Sequence, residues 1–220
     1  MSIQKSTLEL DVNGKTASAY LAEPENGGPG VLVLHAWWGL NPFFKSLCDR
    51  LAEQGFTALA PDLFQGQIAA TIEAAEALMK NSDDQTVSAA VMAAKDHLLA
   101  LGKGKIGVMG FSYGAAWSLI TAARDPENIA TTVLFYGVYE VDFNKVKSKI
   151  LGHFGDRDEF EPLEGVKEME TAMKAAVLDV TLHIYPGVSH WFIETDRPEY
   201  DPAAANLAWE RTFAFLKENL

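Results

Sequence analysis

The sequence has a single cysteine and no long uninterrupted apolar run. Cys48 has no second cysteine with which to form an internal disulfide. No apolar stretch reaches the roughly 18 residues that suggest a membrane-spanning helix. The first seven residues, Met-Ser-Ile-Gln-Lys-Ser-Thr, lack the apolar segment of a signal peptide. These absences predict a cytoplasmic protein with no membrane partner.

Positive charge is scarce as well. Lys and Arg number 18 against 30 Asp and Glu, which gives a formal net charge of −12. Because nucleic acids bind to basic surfaces, we expect no nucleic-acid partner.

No histidine pair has metal-ligand spacing and there is no Cys-x-x-Cys, so we predict no metal and no other cofactor. The sequence is compatible with a monomer or a homodimer.

From residue 31 onward, short apolar runs alternate with segments of helical spacing. The predicted strands are 31–34, 56–60, 106–109, 131–135, 149–154 and 180–185, and the main predicted helices are 41–54, 72–80, 87–101, 163–176 and 201–218. This alternation is typical of βαβ units, which form a mostly parallel, twisted sheet with helices on both faces. Residues 8–12 and 16–21 flank Asn13-Gly14, which predicts an N-terminal antiparallel hairpin with a type I′ turn. We expect one α/β domain over 1–220, with no separate lid domain.

The segment Gly110-Phe-Ser-Tyr-Gly114 fits the pattern G-x-S-x-G. It follows a predicted buried strand and precedes an apolar run long enough for a buried helix. In a nucleophile elbow the serine occupies such a strained strand-to-helix turn, and the flanking glycines allow close packing. Ser112 is therefore the candidate nucleophile. The alternative is a glycine-rich junction that needs small residues for packing only.

An acid and a histidine follow Ser112 in the order that this chemistry requires. The strand over 149–154 is followed by three acids, Asp156, Asp158 and Glu159, and the strand over 180–185 is followed by His190. Since functional groups collect at the carboxyl ends of parallel strands, one acid is expected to orient His190, and His190 to accept the serine proton. Chemistry alone leaves the choice of acid open. Three other histidines are interpreted as structural: His97, which falls in a predicted helix, and His153 and His183, which fall in predicted strands.

Five stretches resemble the dienelactone hydrolase family of α/β-hydrolases, over nearly the whole chain. They are His35-Ala-Trp-Trp-Gly-Leu-Asn41, Ala60-Pro-Asp-Leu-Phe64, Gly110-Phe-Ser-Tyr-Gly114, Gly155-Asp-Arg-Asp-Glu-Phe-Glu-Pro162 and Tyr185-Pro-Gly-Val-Ser-His190. The resemblance implies an α/β-hydrolase fold and a catalytic set of Ser112, Asp158 and His190. It also implies an oxyanion hole formed by the backbone N–H groups of Trp37 and Tyr113.

Three positions depart from the namesake enzymes of that family. Ser112 stands where those enzymes have cysteine, Ala36 where they have a glutamate, and Glu194 where they have an arginine that holds the substrate carboxylate. An acid at residue 194 would repel a carboxylate. The resemblance therefore implies the fold and the hydrolytic class, but not dienelactone as the substrate.

Aromatic residues are frequent in the loops of the predicted site, which indicates an apolar pocket. Roughly half of them are expected to pack the loops onto the sheet instead. The candidate substrate-binding residues are Trp37, Trp38, Phe64, Phe160, Trp191 and Glu194.

The resulting hypothesis is a serine hydrolase that cleaves a small-molecule ester or lactone through an acyl-enzyme intermediate. Two alternatives remain open. The same residues could hydrolyse a thioester or an amide or transfer an acyl group, or the chain could be a non-catalytic binding protein that keeps the fold.

Overall fold

The computed structural model describes residues 2–12 and 14–220. Strands β1 (Ile3–Val12) and β2 (Lys15–Pro24) pair antiparallel along their whole length, with Ile3 opposite Pro24. The predicted N-terminal hairpin is thereby confirmed. Its type I′ turn was predicted at Asn13-Gly14, and Asn13 lies outside the described residues; Gly14 has a φ of +81°.

The remaining elements follow the predicted alternation. The further strands are β3 (Gly30–Leu34), β4 (Thr57–Pro61), β5 (Ile106–Phe111), β6 (Ile129–Phe135), β7 (Lys149–Gly155) and β8 (Val180–Tyr185). The helices are α1 (Pro42–Glu53), α2 (Ile72–Asn81), α3 (Asp84–Ala100), α4 (Tyr113–Arg124), α5 (Leu163–Ala175) and α6 (Pro202–Asn219), with a 3₁₀ turn at Phe143–Lys145. The sheet is mostly parallel, as predicted. Among the described residues it has eight strands, in the order β1-β2-β4-β3-β5-β6-β7-β8.

The chain divides into two compact units, Met1–Ile106 and Gly107–Leu220. In the first unit, α1 packs against β2 and β4, and α3 packs against β1, β3 and β4. Helix α1 begins as the sequence predicts, because the Asn41 side chain accepts a hydrogen bond from the Phe44 N–H at 3.2 Å and Pro42 occupies the first turn. Cys48 is fully buried on this helix.

In the second unit, two glycines of β5 show that helices cover both faces of that strand. A Cβ on Gly107 would lie 2.6 Å from Thr131 Oγ1 and 3.5 Å from a methyl group of Leu216 on α6. A Cβ on Gly110 would lie 2.1 Å from the carbonyl oxygen of Gly114 on α4. Since residues three apart in a strand point to opposite faces, α6 and α4 lie on opposite sides of β5.

Parallel strands β6, β7 and β8 complete the second unit. Thr131 pairs with Lys149, and Ile150 pairs with Val180. The Ser112 N–H, just after β5, donates to the carbonyl of Phe135 at the end of β6, so β5 ends at the same edge. The loops that follow β5, β7 and β8 therefore leave one edge of the sheet and carry Ser112, Asp158 and His190. Within residues 2–12 and 14–220, no helix combines the length and the apolar character needed to cross a membrane.

Candidate active site

Ser112 lies in the turn between β5 and α4 with a strained backbone, φ +49° and ψ −113°. Its N–H donates to the Phe135 carbonyl at 2.9 Å, and its own carbonyl accepts the Ala115 N–H at 2.8 Å. Positive φ is costly for a residue with a side chain, so these hydrogen bonds stabilise a turn that the serine would not adopt alone.

Two glycines, Gly110 within β5 and Gly137 after β6, allow neighbouring segments to pack closely against this turn. A Cβ on Gly110 would lie 2.3 Å from Ser118 Oγ, in addition to its clash with Gly114. A Cβ on Gly137, beyond the end of β6, would lie 2.7 Å from the Ser112 carbonyl oxygen and 2.5 Å from the Ala115 Cβ. The sequence predicted the requirement for Gly110; the close approach of Gly137 comes from a segment that is distant in the chain.

His190 joins Ser112 to Asp158 by two hydrogen bonds. Its Nε2 lies 2.9 Å from Ser112 Oγ, and its Nδ1 lies 2.7 Å from Asp158 Oδ2. The tautomer that satisfies both contacts carries its proton on Nδ1, so that Nδ1–H donates to the carboxylate and Nε2 accepts from the serine hydroxyl. The Asp158 and His190 side chains are almost completely buried, whereas Ser112 is half-buried.

The three acids that follow β7 have different surroundings. Asp158 Oδ1 accepts the backbone N–H groups of Phe160 and Glu161, both at 2.9 Å, which leaves Oδ2 for His190. Asp156 instead accepts the Gly187 N–H at 2.6 Å and thereby connects the loops after β7 and β8. Glu159 is exposed. Of the three, Asp158 is the acid in contact with the histidine.

Tyr113 is the first residue of α4, so its N–H is among the donors of the first turn, for which the helix supplies no acceptor. Trp37, the other predicted donor, belongs to the first unit and follows β3 in a buried turn in which the Gly39 N–H donates to the Ala36 carbonyl at 3.2 Å.

The other predicted pocket residues of the first unit are also buried. Trp38 contacts Trp37 edge to face at 5.5 Å, and its carbonyl accepts the Ala69 N–H at 2.9 Å. Phe64 packs edge to face on His35 at 5.4 Å. His35 Nε2 accepts the Leu63 N–H at 3.0 Å, and burial lowers the pKa of this histidine, which keeps it neutral.

Aromatic rings surround His190 in the second unit. Phe160 lies 5.1 Å from the imidazole centroid and Trp191 lies 5.0 Å from it, and the two rings contact each other at 4.9 Å. Trp191 is buried, while Phe160 is 46% exposed. Phe160 is therefore the one of this pair that solvent, or a bound molecule, can reach.

Tyr136 is a third ring on His190 and was missed by the sequence analysis. It lies edge to face at 4.8 Å and is fully buried. Its hydroxyl donates to Glu194 Oε1 at 2.8 Å. Its position in the sequence could have indicated a role in the site, because Tyr136 directly follows the carboxyl end of β6. The other candidate residues follow β5, β7 and β8 in the same way.

Glu194 was predicted to bind substrate, and the structure buries it completely. The pKa of this carboxyl is raised to about 8, chiefly by burial. The Tyr136 hydrogen bond and Arg197 oppose this rise, and Asp196 and Glu199 contribute to it. Glu194 is thus a largely protonated acid at neutral pH, in contact with Tyr136 and not with solvent.

His153 lies outside the cluster around His190. His153 is buried between the Tyr185 hydroxyl at 2.8 Å and Thr212 Oγ1 at 3.0 Å, and burial lowers its pKa well below the usual value. It packs inside the sheet, as the sequence predicted. No group of three or more His, Cys, Asp or Glu side chains in the described part of the chain is arranged to hold a metal ion.

Comparison with known proteins gives the class of the molecule. The profile of the dienelactone hydrolase family matches residues 17–220. The chain is 36% identical to "Protein usf" of Aquifex pyrophilus, over 97% of this chain and 98% of that one. It is 32% identical to the "Probable 2-oxo-3-(5-oxofuran-2-ylidene)propanoate lactonase" of a Bradyrhizobium species, over 100% of this chain and 96% of that one.

Solved structures agree on the fold. The dienelactone hydrolase of Anabaena variabilis superposes with a TM-score of 0.77 at 20% identity, and each chain is covered completely. The fold is that of the α/β-hydrolases, and the molecule is a carboxylic-ester hydrolase. Within that class, the chain belongs to the dienelactone hydrolase family.

Proposed function

We propose that this protein is a serine hydrolase that cleaves a small-molecule carboxylic ester or lactone through an acyl-enzyme intermediate. The observation that carries the proposal is the continuous pair of hydrogen bonds from Ser112 Oγ to His190 Nε2 and from His190 Nδ1 to Asp158 Oδ2. Family membership supplies the ester or lactone as substrate class.

In the first half-reaction, Ser112 Oγ attacks the carbonyl carbon of the substrate while its proton passes to His190 Nε2. Asp158 stabilises the imidazolium, and it is fixed for this role by two backbone N–H groups. The Tyr113 N–H stabilises the oxyanion of the tetrahedral intermediate. A second donor, the Trp37 N–H, is proposed from the family resemblance. The intermediate collapses as His190 protonates the leaving alkoxide.

In the second half-reaction, a water molecule loses a proton to His190 Nε2 and attacks the acyl-enzyme carbonyl. Collapse of this intermediate breaks the bond to Ser112 Oγ, which takes the proton back from His190. The products are a carboxylic acid and an alcohol, or one hydroxy acid when the substrate is a lactone.

Reaction with a fluorophosphonate probe tests the assignment, because the probe labels activated serines. We expect one adduct, on the peptide that carries Ser112, and no adduct in His190→Ala. Ser112→Ala should lower kcat for ester hydrolysis by several orders of magnitude with folding intact. Ser118→Ala is the matched control, because Ser118 is a buried serine of α4, the helix that follows Ser112, and its hydroxyl donates to the Gly114 carbonyl.

Turnover assays separate this proposal from the other acyl chemistries and from a non-catalytic binding protein. Matched ester, thioester and amide substrates of one acyl group show which bond the enzyme cleaves fastest. Ester turnover that survives in Ser112→Ala would contradict the proposal. Tight binding of an ester without turnover or labelling would support a non-catalytic binding protein.

A further inference from the structure

Three residues with positive φ converge on one imidazole ring. Besides Ser112, they are Tyr136 with φ +38° and Trp191 with φ +57°. Ser112 contacts His190 through a hydrogen bond, and the other two contact it through their rings. Strained backbone of this kind persists only where the surrounding structure enforces it, and it concentrates at functional sites.

The His190 ring is attached through the Cβ–Cγ bond and can turn about it, which would break the hydrogen bonds to Ser112 and Asp158. A ring packed against the imidazole limits that rotation. Tyr136 is suited to this task because it is held at both ends. Its N–H donates to the His153 carbonyl at 2.8 Å, and its hydroxyl donates to Glu194 at 2.8 Å.

Glu194 connects this tyrosine to the segment that carries the histidine. The Glu194 N–H donates to the Trp191 carbonyl at 2.8 Å, so the acid lies in the turn directly after His190. Its side chain is fully buried, and its Oε2 has no hydrogen-bond partner among the described residues. The contact with Tyr136 is therefore the polar contact by which this buried acid is held.

We propose that Tyr136 and Glu194 form a positioning pair that fixes the His190 ring for proton transfer with Ser112. The inference rests on the proposed function and adds to it two residues that do not touch the reacting atoms. The tyrosine ring supports the imidazole, and the glutamate, accepting the tyrosine hydroxyl, fixes the tyrosine ring.

The protonation state of Glu194 decides which variant mimics it. The groups that act on it are Tyr136, Asp196, Arg197 and Glu199, and burial outweighs them, so that its pKa is about 8. At pH 7 the acid is mostly neutral. A glutamine has the same shape and charge as the neutral acid, and its carbonyl oxygen can accept the Tyr136 hydroxyl.

The test is a double-mutant cycle on ester hydrolysis at pH 7. Tyr136→Phe keeps the ring and removes the hydroxyl, so we expect kcat to fall about tenfold with KM within twofold, because small displacements of a catalytic group are costly. Glu194→Ala should cause a similar loss. The kcat of the double variant should be no lower than that of the slower single variant, because both substitutions remove the same hydrogen bond, the one between Tyr136 and Glu194. Glu194→Gln should restore kcat to within about twofold of the wild type.

Tyr185→Phe is the matched control. Tyr185 is also buried and its hydroxyl also makes a side-chain hydrogen bond, but the partner is His153 in the sheet. We expect this variant to keep the wild-type kcat even where it lowers thermal stability. The low-field proton resonance of His190 Nδ1–H should shift in Tyr136→Phe and stay unchanged in Tyr185→Phe.

The outcomes distinguish this proposal from the proposed function. If Ser112→Ala is inactive and Tyr136→Phe has the kcat of Tyr185→Phe, the positioning pair is refuted and the serine hydrolase stands. If Ser112→Ala retains activity, the proposed function itself fails. Should Tyr136→Phe not fold, the comparison of Glu194→Ala with Glu194→Gln decides, and equal kcat values in these two variants would refute the pair.

Discussion

A buried acid with a raised pKa must make the protein less stable as the pH rises, and Glu194→Gln isolates that effect. The Glu194 pKa is about 8 in the folded protein against an ordinary value of 4.5. Between these values the unfolded chain has released the proton that the native protein retains. Raising the pH therefore favours unfolding of the wild type, and a glutamine at this position abolishes that contribution.

The size of the effect follows from the width of this window. Each pH unit inside it changes the free energy of unfolding by up to about 1.4 kcal/mol. From pH 5 to pH 8, the wild type should lose about 3.5 kcal/mol of unfolding free energy relative to Glu194→Gln. Below pH 4.5 the two proteins should differ only by the exchange of a carboxylic acid for an amide. The contributions of other shifted groups, such as His153 and Glu161, are common to both proteins and cancel.

Urea denaturation at pH 5, 6, 7 and 8 measures this difference directly, with the midpoint converted to a free energy for each protein. Glu210→Gln, an exposed position on α6, controls for the loss of one acidic side chain. A constant difference between Glu194→Gln and the wild type across the four pH values would refute the reasoning. That result would mean that Glu194 is ionised in the native protein throughout this range.

Three other substitutions test local features. Asp158→Asn should lower kcat about 10³- to 10⁴-fold in ester hydrolysis, because an amide no longer favours the Nδ1–H tautomer of His190; a loss below tenfold would contradict its role. Val177→Gly should raise the free energy of urea unfolding by about 0.5–1 kcal/mol, because Val177 is 90% exposed at φ +59° and glycine tolerates this backbone; a lower value would contradict the strain. Gly137→Ala should lower the free energy of unfolding by about 1–3 kcal/mol and reduce fluorophosphonate labelling, because the added Cβ would clash with the Ser112 turn. Unchanged labelling would contradict this prediction.

The sequence was sufficient for the fold because each element carries its own local signal. Asn41-Pro42 predicted the start of α1, and Asp201-Pro202 predicted the start of α6, where the Asp201 side chain accepts the Ala204 N–H at 2.8 Å. The predicted strand Val180–Tyr185 has the observed bounds. Strand β5 ends at Phe111, two residues after its predicted end, and β6 begins at Ile129, two residues before its predicted start.

The candidate site was predictable where a motif or a strand end marks a residue, and not where a role depends on a contact across the fold. Ser112 and His190 follow predicted strands, and the structure brings them together at 2.9 Å. Composition could not separate Asp156 from Asp158, because the choice depends on which loop N–H groups each carboxylate accepts. Only the fold reveals that Asp156 connects to Gly187.

Glu194 is the instructive case, because its residue type alone suggests the opposite of its surroundings. A glutamate four residues after His190 reads as an acidic group facing the substrate, and an ionised one would repel a carboxylate. The fold places it out of solvent, with Tyr136 as its partner and a proton retained at neutral pH. In the positioning pair proposed above, Glu194 acts through Tyr136, which packs on His190, rather than through charge on the substrate. The glutamine variant separates these two effects, because it preserves the packing and removes the ability to ionise.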